Sequence, residues 1–265
     1  MKEQTVQQLF DLTGKTVLLT GAAGYLGSAM SRGLAEAGAR LICTSRNQSR
    51  AEEAAKRLND ISDVGHLGIA LDHMDEDSIL AGFENAVEQV GSIDIVVNNG
   101  NEPVPNDLKK VSGAEFTRQL QNASGFFLLS RCLRNHVVQR KACGNVILIG
   151  SMYGSVASYP DAYEGICNAS PVAYHALKGG IIQMTRHLAA YWAADNVRVN
   201  CLSPGPFPNP ESAPSEMVDR LCEKLPMKRM GINHELKGAI VFLASDASSY
   251  MTGQNVVIDG GWTAW

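Results

Sequence analysis

Residues 16–27 read Thr-Val-Leu-Leu-Thr-Gly-Ala-Ala-Gly-Tyr-Leu-Gly, an apolar run that breaks into glycines at three-residue spacing. The run 16–20 has the composition of a strand. Its Val and Leu stand at consecutive rather than alternate positions, so both faces must be covered. Gly21, Gly24 and Gly27 follow at once. Glycine at a strand-to-helix turn permits positive φ and lets backbone approach a ligand closely. The helix expected over 25–37, stopped by Gly38, then turns free N–H groups and the positive end of its dipole towards an anion. Two readings fit this turn. In one, Gly21, Gly24, Tyr25, Leu26 and Gly27 cradle the pyrophosphate of a dinucleotide; in the other, the glycines only let a helix pack on a strand.

Outward from this stretch the pattern repeats. Strands are expected over 40–44, within 64–71, and over 93–97, 145–149, 197–202 and 255–258. Helices are expected between them over 49–59, 75–90, 113–140, 171–194 and 233–245. Short strands rich in Val, Ile and Leu on both faces, alternating with helices, define the fold class α/β. The expected architecture is a Rossmann-type doubly wound parallel sheet of about seven strands flanked by helices, a three-layer α/β/α arrangement. There is no repeat and no long linker, so residues 1–265 are expected to form one domain. Ligands of such a sheet bind at the carboxyl ends of its strands.

Composition narrows the partners. The net charge of −4 argues against a general nucleic-acid or anionic-membrane binder. No apolar run approaches the length of a membrane helix. The first residues are polar and lack the apolar core of a secretory signal. The six cysteines, Cys43, Cys132, Cys143, Cys167, Cys201 and Cys222, form no Cys-x-x-Cys pair. Reduced thiols in a cytoplasmic protein, with no metal centre, are expected.

The second strand ends in Cys43-Thr44-Ser45-Arg46-Asn47, with Arg50 one turn on. A carboxylate here would bind the adenosine ribose and repel a 2′-phosphate. Ser45 can instead donate to a phosphate oxygen, and Arg46 can grip it through a charged fork. NADP(H) is therefore favoured and NAD(H) stays open; the bland alternative is an arginine capping a solvated loop. Asp72 ends the third strand, where it either accepts from the adenine amino group or caps the next helix. Asn99 and Gly100, in Asn98-Asn99-Gly100, are small turn residues placed to lie against the cofactor.

Tyr174 and Lys178, in Tyr174-His175-Ala176-Leu177-Lys178, share a helix face at a spacing of four. A free phenol titrates near 10 and is a poor base at neutral pH. A neighbouring ammonium and the charge of oxidised nicotinamide favour phenolate. The tyrosine could then exchange a proton with a substrate oxygen while hydride moves at carbon. Alone, the pair reads equally well as a surface i,i+4 contact. Ser151 directly follows the fifth strand. It is either a turn serine or a donor to a carbonyl oxygen that gains charge.

In this order, the Thr-Gly turn, Asn-Asn segment, Ser151, Tyr174-x-x-x-Lys178, the Pro204-Gly205-Pro206-Phe207 loop and the terminal Asp259-Gly260-Gly261 resemble the short-chain dehydrogenase/reductase family from Gly14 to Gly261. The resemblance implies that Ser151, Tyr174 and Lys178 form the catalytic set. Asn122 would be its fourth member, supporting a water beside the lysine. It also implies that Lys178 holds the nicotinamide ribose, that Pro204, Gly205 and Phe207 contact the nicotinamide, and that the chain is a homo-oligomer, often a tetramer. Three departures stand out. The glycine usual at position 25 is one earlier, at Gly24. Asn98-Asn99-Gly100-Asn101 replaces Asn-Asn-Ala-Gly, which brings Asn101 towards the reaction centre. Finally, Tyr174 stands about ten residues further from Ser151 than is common. Tyr163 is at the common distance, but Cys167 replaces the lysine that should follow, so Tyr163 is rejected as the acid.

The extra residues, 155–171, are expected to form a lid-like insertion over the active-site mouth, or a loop that packs on a neighbouring subunit. Asn101, Tyr153, Glu164 and His175, with Glu102, suggest a polar substrate pocket. Such a pocket suits a small alcohol or ketone carrying further hydroxyls. The loop 203–208 and the end Gly261-Trp262-Thr263-Ala264-Trp265 resemble sugar and sugar-acid members such as gluconate 5-dehydrogenases. A 3-oxoacyl-(acyl-carrier-protein) reductase and a non-catalytic NADP(H) sensor or scaffold are the competing expectations. The first would want a basic patch beyond Lys109-Lys110 and Arg131-Arg134; the second usually lacks the tyrosine or the lysine.

Overall fold

The chain enters through a short helix, α1 (Val6–Phe10), and then alternates strand and helix: β1 (Thr16–Thr20), α2 (Tyr25–Glu36), β2 (Arg40–Ser45), α3 (Gln48–Lys56), β3 (Leu67–Ala70), α4 (Glu76–Val90), β4 (Ile95–Asn98), α5 (Gly113–Arg140), β5 (Gly144–Ile149), α6 (Val172–Trp192), β6 (Val197–Pro204), α7 (Ser215–Lys224), α8 (Lys237–Ala244) and β7 (Asn255–Ile258). This computed structural model describes residues 3–104, 106 and 108–264; Trp265 of the C-terminal motif lies outside them. The seven strands form one parallel sheet in the order β3-β2-β1-β4-β5-β6-β7. The chain therefore reverses its direction of travel between β3 and β4, on either side of β1, and a crevice opens there at the strand carboxyl ends.

The unbroken apolar run of β1 is explained by cover on two sides. Leu18 joins a core with Phe83 of α4, Phe126 and Leu129 of α5, and Ile181 of α6. Val17 and Leu19 point the other way, into a core with Met30 and Leu34 of α2 and Ile240 and Leu243 of α8. Strand side chains alternate faces, so a strand sandwiched between helix layers must be apolar at every position. This is the three-layer doubly wound arrangement expected from the pattern.

Three segments differ from the sequence expectation, the unexpected short helix α1 among them. Residues 233–245 are not one helix: a 3-10 turn, Asn233–Leu236, leads into α8. And α7 was not expected, because only Met217 and Leu221 mark its inward face within a charged stretch between prolines. The insertion 155–171 carries a 3-10 turn, Pro160–Ala162. It packs on α7 and the C-terminal turn through Ala162, Tyr163, Leu221, Leu225 and Trp262. Arg220 of α7 donates to the carbonyls of Asp161 (3.0 Å) and Glu164 (2.8 Å), and Lys224 pairs with the Asp161 carboxylate at 2.5 Å. Among the described residues, no helix is long and apolar enough to cross a membrane. Among the described residues, no group of three or more His, Cys, Asp or Glu could hold a metal ion.

Candidate active site

At the carboxyl ends of β1, β2 and β4 lies a cleft of about 410 Å³ that includes Thr20, Gly21, Gly24, Ser45, Arg46 and Gly100. Gly21 sits at φ +68°, which explains why a glycine stands there. A Cβ on Gly27 would lie 2.0 Å from the Gly21 carbonyl oxygen. Gly27 therefore serves helix-on-strand packing, while Gly21 and Gly24 line the cleft. Tyr25 and Leu26 do not line it; they open α2, whose first-turn N–H groups have no intrahelical acceptors. A bare, positively curved turn feeding a helix N-terminus fits a pyrophosphate.

Thr20 braces this turn, a role the sequence reading missed. Its hydroxyl accepts the N–H groups of Asn99 and Gly100, both at 2.8 Å. The Asn99 amide in turn donates to the carbonyls of Thr20 (3.0 Å) and Gly21 (3.2 Å). Asn99 thus fastens β4 to the glycine turn. Asp72 does not cap α4, since Asp75 does so by accepting from the Ser78 N–H; one Asp72 oxygen closes a turn onto the Met74 N–H at 2.9 Å.

Ser45, Arg46 and Arg50 all reach the cleft. Arg46 is not free there. Its guanidinium meets the Glu102 carboxylate at 3.2 Å, and Arg118 holds the same carboxylate at 2.7 Å. Glu102 was expected in the substrate pocket; instead it lines the cleft beside Arg46, where two arginines hold its carboxylate.

The adjoining cavity, about 350 Å³, collects Asn101, Gln119, Ser151, Tyr153, Tyr163 and Tyr174. Gly205 and Phe207 form another wall, and Pro204 ends the buried β6. Gly205 has no room for a side chain, since a Cβ would lie 2.4 Å from Asp259 Cα. Ser151 follows β5, and its hydroxyl oxygen accepts the Tyr153 N–H at 3.2 Å. Tyr174 and Lys178 share one face of α6, with Lys178 Nζ 5.5 Å from the Tyr174 ring centre. Lys178 is buried and donates to the Ile149 carbonyl at 2.7 Å.

The electrostatics depart from the sequence expectation. Burial raises the Tyr174 phenol above its ordinary value, and a hydrogen bond with Ser151 pulls it part of the way back. Burial is the larger influence on the phenol. The Lys178 ammonium is itself penalised by burial, which lowers it from the usual 10.5 to about 8. Desolvation opposes charge on both groups.

Asn122 is fully buried, and its amide is fully bonded. Its oxygen accepts from the Glu102 N–H (2.8 Å) and pairs with His73 Nε2 (2.9 Å). Its nitrogen donates to the carbonyls of Gln119 (2.8 Å) and Glu102 (3.1 Å). Asn122 therefore pins the segment after β4 to α5 and does not line the cavity. Gln119, one helical turn earlier, does; it receives the Val104 N–H at 2.8 Å and donates to Asn101 at 3.1 Å. The i,i+3 spacing from Asn122 was the available sequence signal for it. Of the four expected substrate residues, Asn101 and Tyr153 reach the cavity. Glu164 is exposed and does not line the cavity. His175 stands behind Tyr153, stacked at 4.5 Å and bonded to Ser170 at 3.0 Å.

A family model described as "Enoyl-(Acyl carrier protein) reductase" matches residues 21–263. The chain is 33% identical to a D-arabinitol 2-dehydrogenase (ribulose-forming) from Scheffersomyces stipitis, covering 97% of this chain and 96% of the relative. It is also 33% identical to an NADP-dependent mannitol dehydrogenase from Hypocrea jecorina, over 96% of this chain and 94% of the relative. Among solved structures, a gluconate 5-dehydrogenase from Burkholderia cenocepacia J2315 in complex with NADP and tartrate superposes with a TM-score of 0.88 at 29% identity. That match covers 98% of this chain and the whole of the other.

Proposed function

The chain belongs to the short-chain dehydrogenase/reductase family and is an NAD(P)-dependent oxidoreductase of CH–OH groups; from that premise we propose that it uses NADP(H) to interconvert a secondary alcohol and a ketone on a sugar, sugar acid or polyol, with Tyr174 as general acid and base. The observation that carries this reading is the meeting of Ser151 and Tyr174 in one cavity, with Lys178 directly behind the tyrosine. When bound, NADP(H) supplies or accepts the hydride. Gly21 and Gly24 would hold its pyrophosphate, Ser45, Arg46 and Arg50 its 2′-phosphate, and Pro204, Gly205 and Phe207 its nicotinamide end. NAD(H) is the alternative in the same groove.

The chain's own residues handle the proton. Burial keeps Tyr174 protonated at neutral pH, so it is ready to donate to a ketone oxygen; for alcohol oxidation it must first lose that proton. The Ser151 hydroxyl hydrogen is available to the same oxygen and steadies charge as it develops. Lys178, anchored on the Ile149 carbonyl, sets a positive charge under the phenol ring. Within the same proposal, residues 1–265 are one domain, the insertion 155–171 closes the cavity, and the protein self-associates in the cytoplasm. Exposed Leu120 and Val138 on α5 and Tyr191 on α6 support the self-association.

One observation favours a second reading, a 3-oxoacyl thioester reductase: Pro103, Val104, Met152 and Leu221 give the cavity apolar walls. Following NADPH absorbance with ribulose, 5-ketogluconate and an acetoacetyl thioester separates the two. Turnover of a sugar ketone is expected. Turnover of the thioester alone moves the assignment to the second reading, and cofactor binding without any turnover removes the catalytic one.

A further inference from the structure

Tyr153 and Tyr163 meet inside the reactive cavity, their hydroxyl oxygens 2.8 Å apart. They arrive from different places. Tyr153 lies two residues after Ser151, in a 3-10 turn (Met152–Gly154). Tyr163 comes from the insertion, directly after its own 3-10 turn. Both rings are held. His175 stacks on Tyr153 at an interplanar angle of 25°, and Trp262 meets it edge-on at 6.2 Å. Tyr163 is 8% exposed and packs with Leu221 and Leu225. Its segment is tied to α7 through Asp161 and Lys224.

Burial holds both phenols above the ordinary tyrosine value, so both keep their hydrogens at neutral pH. Two hydroxyls that share one hydrogen bond retain one unshared hydrogen and spare lone pairs between them. Ser151 and Tyr174 line the same cavity, so a small molecule bound at those two also faces the pair. Among the described residues, no lysine or arginine lines this cavity. The pair therefore suits a neutral oxygen better than a carboxylate.

We infer that the Tyr153–Tyr163 hydroxyl pair is a specificity-determining subsite that binds a second, neutral oxygen of the substrate, on a carbon near the reacting one. It selects ketoses and polyols over substrates with a single oxygen, because a substrate without that oxygen leaves the pair's unshared hydrogen without an acceptor. The inference rests on the proposed reading of Tyr174 and narrows its substrate class to neutral polyols.

The test uses the whole protein with NADPH and three ketones of equal chain length: 2-pentanone, 1-hydroxy-2-pentanone and ribulose. The wild type should favour 1-hydroxy-2-pentanone over 2-pentanone by about tenfold or more in kcat/KM. Tyr163→Phe and Tyr153→Phe should each cut that ratio by about tenfold, acting through KM more than kcat. The double variant should be little worse than either single one, since the two act as a unit. A preference unchanged in both variants overturns the inference, as does an equal fall for both ketones, which would mark a packing role only. If the wild type lacks the preference, the inference fails while the proposed reading of Tyr174 stands. If the wild type reduces no ketone, that reading fails and takes the inference with it.

Discussion

The two adjoining cavities, which share Asn101 and Pro103 as walls, are lined by different chemistry. At one end Arg46, Glu102 and Arg118 form a chain of charges, with Arg46 65% and Arg118 47% exposed at the side chain. At the other end Tyr153, Tyr163 and Tyr174 stand in a largely desolvated pocket as neutral hydroxyls. Solvent weakens the first set, so its pairing is cheap to exchange: a phosphate arriving at Arg46 can take the place of Glu102. Burial strengthens the second set and fixes its geometry, so a lost partner there is costly. On the proposed function, charge captures the cofactor and buried hydroxyls choose the substrate.

The sharpest way to break this contrast is Tyr174→Phe. On the proposed function it should lower kcat about a thousandfold while leaving NADPH affinity, read by fluorescence titration, nearly intact. Comparable losses in both measurements would mean that the two ends are not separate. The buried lysine gives the next largest effect. Folding lowers its value from 10.5 to about 8, so the unfolded chain holds the extra proton more tightly. Its penalty is therefore in full force below about pH 8 and fades as the pH rises to 10.5, a span worth about 3 kcal/mol at most. Wild-type cofactor-free protein should gain stability relative to Lys178→Met across that window, as read by denaturant unfolding at a series of pH values. A constant gap would place the ammonium in contact with water. At the exposed end, Arg46→Asp should weaken NADPH about ten- to a hundredfold and NADH far less. Equal curves for the two cofactors would remove the 2′-phosphate assignment. Glu102→Gln, the smallest change, should tighten NADPH by only a few-fold, because the pair it breaks is half-solvated. A loss of affinity would show that Glu102 orients Arg46 and does not compete for it.

Legibility followed the same division. The glycine turn, Ser45-Arg46 and the Tyr174/Lys178 spacing are local signals, each readable within a few residues of one strand end or helix turn. The groove walls were harder to read. Thr20 stands within the turn, but its hold on Asn99 and Gly100 needs β1 and β4 side by side. Tyr163 was rejected as the acid because no lysine follows it, and only the folded insertion shows it returning to the cavity as a wall. Glu102 was assigned to the wrong end for a similar reason, since the arginines that attract it are 56 and 16 residues away in sequence.

By itself the amino-acid order determined the layering and the chemistry of the reactive turn: a period-two strand must be apolar at every position when helices cover both faces, and a four-residue helical spacing puts phenol and ammonium together. Only the tertiary structure decided which charges pair across the groove, which tyrosines share the cavity, and that burial raises the phenol. Those outcomes depend on distances between segments far apart in the chain and on the water they exclude, and neither quantity is written in local sequence.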